Sequence, residues 1–273
     1  MSHLSYKLLY KFQEKSENHP TYKAEIHPNL SFLELSTIKI PEKNSITSTS
    51  NKTSPPSFII SNIGNILDQG QLGDCVCNAF SFCINTVTKK NVNISRIYLY
   101  AICRILDNTP LNQDNGTTVH TACNSIKNYG SINENIIPYN INNFVNFPSI
   151  NNFKNVNFFK NFTYSFVNQD ILSIKNCLSN NSVPIIFGFI VYDSFMTNTV
   201  ASTGIVPMPN VHTENIQGGH CMNIIGYNDS TQLFTCVNSW GKSWGKNGEC
   251  YMPYAYLLNP NLASDFCFIK FVY

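Results

Sequence analysis

The sequence predicts an α+β fold in which helices come first and strands follow, and three observations support this. Apolar residues recur at helical spacing between residues 75 and 129. From residue 183 onward, apolar residues instead form short runs separated by turn residues. Hydrophobic residues make up 43% of the 273 residues, which is enough for a large core. This segregated order is typical of α+β proteins, and we expect a cleft between the two halves.

The helical half contains four predicted helices. The first begins at Cys75, because Asp74 is a favourable N-cap and apolar residues recur from Val76 to Val87. The third ends at Gly130, a residue type that often terminates helices. The four predicted helices cover residues 75–87, 95–106, 118–129 and 169–180.

The second half contains five predicted strands. Residues 183–192 include an apolar run that fits a buried strand. The next two strands flank residues 228–231 (NDST), whose composition predicts a turn. The five strands cover residues 183–192, 221–227, 232–238, 249–252 and 266–272.

Residues 1–54 differ from the rest of the chain and are predicted to be an N-terminal extension. The extension runs into a Ser/Thr/Asn/Pro-rich tract at residues 41–56, which is typical of linkers and loops. Residues 30–40 partly alternate and fit one strand. Both a disordered arm and a segment that packs on the main domain remain open. The main domain is then expected to cover residues 55–273.

Charge and cysteine usage argue against several classes of function. The formal net charge is +2 and the basic residues are scattered, so neither a nucleic acid nor a membrane is expected as a partner. No segment resembles a secretory signal or has the roughly 18–20 apolar residues of a membrane span. The ten cysteines lack zinc-site spacing and fit buried thiols in a reducing compartment. We expect a cytoplasmic monomer (in the host cytoplasm or the virion, if viral) without metal or cofactor.

Cys75 is the predicted nucleophile. A thiol at a helix N-terminus is more readily ionised, because the unpaired N–H groups and the helix dipole stabilise negative charge. Gln69 lies six residues earlier and is predicted to donate, together with the Cys75 backbone N–H, to a developing oxyanion. Cys77 is the competing thiol, but it lies roughly 200° around the helix from Cys75 and is expected in the core.

His220 is the predicted acid–base partner of the thiol. It follows two glycines and begins an apolar strand, and His212 is its only serious rival. Asn238 is predicted to hold the imidazole in its productive orientation through a hydrogen bond. Trp240 is predicted to shield that bond from water. Both tryptophans of the chain fall within residues 239–245 (SWGKSWG).

These motifs resemble those of the papain family of cysteine proteases, which includes the cathepsins. The order Gln69, Cys75, His220 and Asn238 matches the family. The gap of 220 − 75 = 145 residues between cysteine and histidine falls within the family's range of about 130–150. The resemblance covers residues 55–273 and is closest to the signal-less branch of bacteria and some large DNA viruses. Stretches that resemble this branch are residues 68–75, 184–195, 203–209, 251–257 and 263–266.

The resemblance implies two lobes with a cleft between them. The helical left lobe would hold Cys75, the antiparallel β-rich right lobe would hold His220 and Asn238, and residues 1–54 would be a short prosegment. The substrate-binding positions that it implies are Asn115 and Gly116 on the left wall, Phe187, Gly219 and Ser264 in the pocket for the second residue before the scissile bond, and Trp240 beside the histidine.

The chain departs from the family pattern next to the nucleophile. Leu72 stands where many secreted members have a disulfide cysteine, which agrees with a reducing compartment. Asp74 replaces the usual serine or alanine, and its carboxylate is expected to raise the pKa of the thiol if it does not cap the helix. The long prosegment helix of secreted members is not recognisable in residues 1–54.

The resulting hypothesis is a thiol endopeptidase that hydrolyses polypeptide substrates. Cys75 and His220 are expected to rest as an ion pair, and the thiolate then attacks the amide carbonyl. One alternative is an isopeptidase directed at ubiquitin-like partners. Another is a catalytically silent binding module with the same fold. An amidase or acyltransferase that uses the same residues also remains open, because a fold does not determine the reaction.

Overall fold

The computed structural model describes residues 45–46, 54–144, 159 and 161–271. In this part of the chain the α-helices are α1 (Cys75–Val87), α2 (Arg96–Leu106), α3 (Val119–Tyr129), α4 (Ile171–Asn181), α5 (Asn198–Thr203) and α6 (Tyr254–Leu257). The strands are β1 (Ser45–Ile46), β2 (Ser57–Ile59), β3 (Phe162–Val167), β4 (Ile185–Tyr192), β5 (Ile216–Asn228), β6 (Leu233–Val237), β7 (Glu249–Pro253) and β8 (Ala263–Phe271). Short 3₁₀ helices cover Ile141–Asn143 and Asp193–Met196.

The strands form one sheet in the order β1-β3-β8-β4-β5-β6-β7, with β2 added to β5. All pairs are antiparallel except β1 with β3. The long strand β5 pairs with β2, β4 and β6, so it lies in the middle of the sheet. The first part of β5, which includes His220, pairs with β4, and its last part, from Asn223 onward, also pairs with β6.

Two hydrophobic clusters give the molecule two lobes, and α1 lies between them. One cluster joins α1, α2 and α3, and the other fills the space around the sheet, α4 and α6. Phe80 of α1 belongs to the first cluster and Phe82 to the second. All residues of α1 before Val87 are buried, which explains why the helix contains no charged side chain.

The four predicted helices are confirmed, with ends within two residues of those expected. Ser95, Thr118 and Asp170 cap α2, α3 and α4 through their side chains, as such residues commonly do. Asp74 occupies the N-cap position of α1, but its side chain makes no capping hydrogen bond, so the predicted cap is wrong. Gly130 ends α3 at φ 72°, a conformation that favours glycine.

The strands of the second half are also confirmed, but two of them begin earlier than predicted. β5 begins at Ile216 rather than at residue 221, and β8 begins at Ala263 rather than at residue 266. The polar and small residues that open both strands conceal them from a search for apolar runs. Within the predicted linker, β1 pairs with Phe166 and Val167 of β3. The strand predicted over residues 30–40 lies outside the described residues.

A short pairing between two loops joins the lobes. The backbone N–H of Gln69 donates to the carbonyl of Ser239 at 2.8 Å, and that of Gly241 donates to Leu67 at 3.0 Å. Asp68 and Trp240 lie opposite each other in an antiparallel bridge between these bonds. We call this contact the inter-lobe bridge. It brings the loop before α1 against the segment that follows β6.

No helix in the described ranges combines the length and the apolar composition needed to cross a bilayer.

The loop at residues 238–248 needs glycine at particular positions. Gly245 has φ 59°, and its N–H donates to the carbonyl of Ala201 at 2.7 Å. A Cβ at this position would collide with the backbone carbonyl oxygen of Glu249. A hydrogen bond of 2.9 Å from the N–H of Asn238 to the carbonyl of Gly248 joins the two ends of the loop. The position of Asn238 therefore depends on the packing of this loop.

We expect Gly245→Ala to lower the free energy of unfolding by about 3 kcal/mol, because it adds both a strained φ and a clash with backbone. Gly70→Ala is the matched control, since Gly70 has nearly the same φ of 57° but its Cβ would meet nothing closer than 3.9 Å. The control should lose only about 1 kcal/mol. Urea unfolding followed by circular dichroism measures both values, and equal losses would contradict the argument.

Candidate active site

Cys75 is the first residue of α1, and its side chain is fully buried. Burial raises the pKa of its thiol to about 12, and the neighbouring carboxyl of Asp74 adds to this increase. Hydrogen bonds from the backbone amides of Cys221 and Val76 oppose it. The contact with Cys221 matters for the geometry, because Cys221 directly follows His220 on β5. The structure thus brings the sulfur to the part of β5 that carries the imidazole.

His220 lies within β5 rather than at its start, and its ring is fully buried. Its Nε2 lies 2.7 Å from Oδ1 of Asn238. The same oxygen accepts from the backbone N–H of Ser239 at 2.8 Å, which identifies it as the acceptor end of the amide. Nε2 of His220 therefore carries the proton, and Nδ1 keeps its lone pair. Nδ1 is buried and has no hydrogen-bond partner among the described residues.

The buried setting favours neutral forms of both groups. Burial lowers the pKa of His220 to about 4, against the opposing effect of its bond to Asn238. Because the pKa of Cys75 is raised at the same time, a thiol and a neutral imidazole are the favoured pair near neutral pH. Burial in this closed site therefore opposes the ion pair expected from the sequence.

Aromatic rings surround the imidazole. The ring of Trp240 lies 4.9 Å from that of His220, between centroids, and Phe189 of β4 meets it edge-on at 5.7 Å. Trp240 is held in turn by Phe195 at 5.6 Å and Trp244 at 5.3 Å. These rings fill the space around the histidine and exclude water from it.

Gln69 is also buried and is fixed at both ends of its amide. Its Nε2 donates to the carbonyl of Leu72 at 2.9 Å, and its Oε1 accepts from Oγ of Ser239 at 2.6 Å. Nε2 keeps a second N–H. Asn238, the residue before Ser239, binds His220. Gln69 is therefore connected to the imidazole through Ser239 and Asn238. The structure thus brings Gln69, His220 and Asn238 into one connected group.

Asp74 belongs to a buried network that the sequence did not reveal. Its Oδ1 accepts from the hydroxyl of Tyr139 at 2.9 Å and from Nδ2 of Asn78 at 2.8 Å. Tyr139 Oη also lies 3.0 Å from the carbonyl oxygen of Gln69. The guanidinium of Arg96 stacks on the Tyr139 ring at 3.5 Å. The sequence predicts an effect of Asp74 on the thiol, but it contains no motif that would connect Asp74 with Tyr139, which lies 65 residues away.

The two residues predicted for the left wall, Asn115 and Gly116, both make hydrogen bonds within the helical lobe. Gly116 is buried at φ 72°, and its N–H donates to the hydroxyl of Tyr100 at 3.0 Å. Asp114 accepts from the same hydroxyl at 2.5 Å and from the N–H of Gly73 at 2.9 Å. Asn115 donates to Oε1 of Gln113 at 3.1 Å. Asp114 thus joins this wall to the loop before Cys75.

The residues predicted for the substrate pocket divide between the core and the sheet. Phe187 is fully buried and packs on Phe189 and Phe266 at 5.7 and 5.8 Å, within the hydrophobic cluster around the sheet. Gly219 pairs with a residue of β4 in the sheet. Ser264 is partly buried, and its hydroxyl donates to Asp265 at 2.9 Å.

The two rival residues lie elsewhere. Cys77 is fully buried in the helical core, where it interacts with the thiol of Cys103. His212 is exposed, in the loop before β5. All ten cysteines are free thiols.

The chain is similar to known proteins over most of its length. The family model described as papain family cysteine protease matches residues 60–263. An uncharacterised peptidase C1-like protein of Acanthamoeba polyphaga mimivirus is 35% identical over 217 residues, which is 75% of this chain and 69% of that protein.

Solved structures support the predicted fold. Xylellain, a cysteine protease from Xylella fastidiosa, matches with a TM-score of 0.73 and 25% identity over the full length of both chains. Digestive procathepsin L 3 from the larval midgut of Tenebrio molitor matches with a TM-score of 0.63 and 18% identity, covering 88% of this chain and 79% of that one. The two-lobe α+β fold and the resemblance to bacterial and viral members are confirmed. The chain belongs to the papain family and is a cysteine protease, a hydrolase that acts on polypeptides.

Proposed function

We propose that this protein is a thiol endopeptidase in which Cys75 is the nucleophile, His220 the general acid–base and Asn238 the residue that orients the imidazole. The observation that supports this best is the tautomer of His220. Its Nε2–H is bound to Asn238 at 2.7 Å, while Nδ1 is buried without a partner in the described part of the chain. A general base needs a fixed lone pair close to the proton that it accepts. Nδ1 of His220 has such a lone pair, and the next residue of β5, Cys221, contacts Cys75.

The reaction follows from these positions. The proton of the Cys75 thiol passes to Nδ1 of His220 while the sulfur attacks the carbonyl carbon of the substrate. The negative charge that develops on the carbonyl oxygen is stabilised by the free N–H of Gln69 Nε2 and the backbone N–H of Cys75. His220 then gives its proton to the leaving amine, and a thioester remains. Water hydrolyses the thioester with His220 as base, which restores the thiol.

The burial of the site adds a requirement. Neither Cys75 nor His220 has exposed side-chain surface, so a substrate reaches them only after a rearrangement that opens the cleft. Entry of solvent and substrate would also relieve the burial that keeps both groups neutral, and would bring their pKa values closer together.

We expect Cys75→Ala to abolish peptide hydrolysis and to prevent labelling by an epoxide inhibitor. In the wild-type protein the inhibitor should add to Cys75, as mass spectrometry of the peptide that contains it would show. Cys77→Ala is the control, because Cys77 is buried in the core; it should keep both properties. An unlabelled Cys75 in a folded, inhibitor-treated protein would contradict the proposal.

We expect Gln69→Ala to lower kcat by about 10²–10³, the usual effect of removing one oxyanion donor. Ser239→Ala provides the comparison, because it removes only the hydrogen bond that orients the Gln69 side chain. A net loss of about 1 kcal/mol for such a bond corresponds to a reduction of about fivefold. Steady-state kinetics on a peptide substrate would measure both, and an undiminished kcat in Gln69→Ala would refute the assigned role.

We also propose that residues 1–54 are a prosegment and that residues 55–273 are the catalytic domain. Contacts at the boundary support this division. Ser54 Oγ donates to Oδ1 of Asn176 at 2.5 Å, and the carbonyl of Pro55 accepts from Tyr227 Oη at 3.0 Å. β2 then adds residues 57–59 to the central strand β5. The chain is therefore held on the main domain at the proposed boundary, through Ser54 on one side of it and Pro55 on the other.

If the protein processes itself, incubation should create a new N-terminus between about residues 47 and 54, upstream of these anchoring contacts. N-terminal sequencing would locate the cut. The Cys75→Ala variant should stay intact under the same conditions. An identical cut in that variant would show that another protease made it.

A further inference from the structure

We propose that Asp74 and Tyr139 form a positioning pair whose hydrogen bonding depends on whether Asp74 is protonated. The pair controls the position of Gln69, the proposed oxyanion donor, and the charge beside Cys75. This inference rests on the proposed function of Cys75 and Gln69. Neither Asp74 nor Tyr139 has been given a role in the reaction as described above. Both are positioning residues, because they act through Gln69 and Cys75 and not on the substrate.

The proposal starts from one hydroxyl that has two acceptors. Tyr139 Oη lies 2.9 Å from Oδ1 of Asp74 and 3.0 Å from the carbonyl oxygen of Gln69. A phenol has one hydrogen, so it can donate to only one of them at a time. An ionised carboxylate is a stronger acceptor than an amide carbonyl, whereas a protonated carboxyl is a weaker one than the carboxylate. The protonation state of Asp74 therefore decides whether Tyr139 holds Asp74 or the backbone of Gln69.

Asp74 is built to change its protonation state near neutral pH. Its side chain is fully buried, and Oδ2 has no hydrogen-bond partner among the described residues. The nearest cation, Arg96, is already paired with Glu134 by two hydrogen bonds of 2.8 and 3.0 Å. Burial raises the pKa of Asp74 to about 7, and the bond from Tyr139 and the charge of Arg96 only partly offset this. The charged or titratable groups around Asp74 are Tyr139, Arg96, Asp114, Cys75, Cys77 and Arg104.

The two states have opposite effects on the reaction. Below about pH 7, Asp74 is neutral, Tyr139 donates to the Gln69 carbonyl, and the charge of Asp74 no longer opposes a thiolate on Cys75. Above that pH, the carboxylate takes the phenol hydrogen, leaves the Gln69 carbonyl without this donor and raises the pKa of the thiol. Because the folded pKa of Asp74 is raised, the active form is present at lower pH and is lost as the pH increases through about 7.

The test is the pH dependence of kcat/KM in the full-length protein. Asp74→Asn keeps the shape of the neutral acid and cannot ionise, so the alkaline fall in activity should disappear. The ratio of kcat/KM for Asp74→Asn to that for wild type should increase about tenfold between about pH 5.5 and pH 8.5. Tyr139→Phe should instead shift the alkaline fall to higher pH, because it removes the hydrogen bond that lowers the pKa of Asp74.

Asp107→Asn is the matched control, since Asp107 is another poorly accessible acid on the helical lobe that accepts from two threonine hydroxyls, at 2.5 and 2.6 Å. It should leave the position of the alkaline fall unchanged. A purely structural role for Asp74 would alter the height of the profile and not its shape. An alkaline fall that persists at the same pH in Asp74→Asn would overturn the proposal.

A second measurement separates this inference from the proposed function. The alkylation of Cys75 by iodoacetamide, followed on its own peptide by mass spectrometry, reports the thiolate without any turnover. The pH at which the alkylation rate reaches half of its maximum should be lower in Asp74→Asn than in wild type. If this shift occurs in a protein that hydrolyses no peptide, the positioning pair stands and the proposed endopeptidase fails. An identical midpoint in both proteins refutes the pair, whatever the activity.

Discussion

The site depends on the inter-lobe bridge between the loop before α1 and the segment after β6. Two backbone hydrogen bonds and the Asp68–Trp240 pairing fix the distance between these segments. Gln69 lies in the first segment, and Cys75 follows it by six residues. Asn238 directly precedes Ser239, the first bridge residue of the second segment. Because the hydrogen bonds of the bridge join backbone atoms, the main chain sets the distance between the two segments. The side-chain bond from Ser239 to Gln69 then adds orientation to a distance that is already set.

Hydrogen bonding is incomplete where the chemistry is expected. Among the described residues, seven buried polar side-chain atoms lack a partner. Three of them belong to this one region: Asp74 Oδ2, His220 Nδ1 and Asn238 Nδ2. An unpaired buried polar atom costs about 1–3 kcal/mol, so such a concentration is not expected from packing alone. A base must keep an unshared lone pair, and the free Nδ1 of His220 is explained in this way.

Much of this architecture could be predicted from the sequence, and the failures have physical causes. Helical periodicity locates α1 to α4 within two residues, because their apolar faces are regular and α2, α3 and α4 have the usual side-chain caps. The sequence predicts that Asp74 caps α1, but its carboxylate binds the side chains of Tyr139 and Asn78 instead of the backbone N–H groups of the helix. The strands β5 and β8 begin earlier than predicted, because polar and small residues open both of them. Tyr139 could not be found, because only folding brings it to Asp74.

The placement of the indoles gives this protein a built-in optical reporter. The chain contains two tryptophans: Trp240 lies 4.9 Å from the ring of His220, and Trp244 packs against Trp240. Ultraviolet emission from the unlabelled protein therefore arises from the right wall of the cleft, with tyrosine as the other source of intrinsic emission. Water that enters when the cleft opens would shift the emission to longer wavelength. The opening step can thus be followed in real time without attaching a dye.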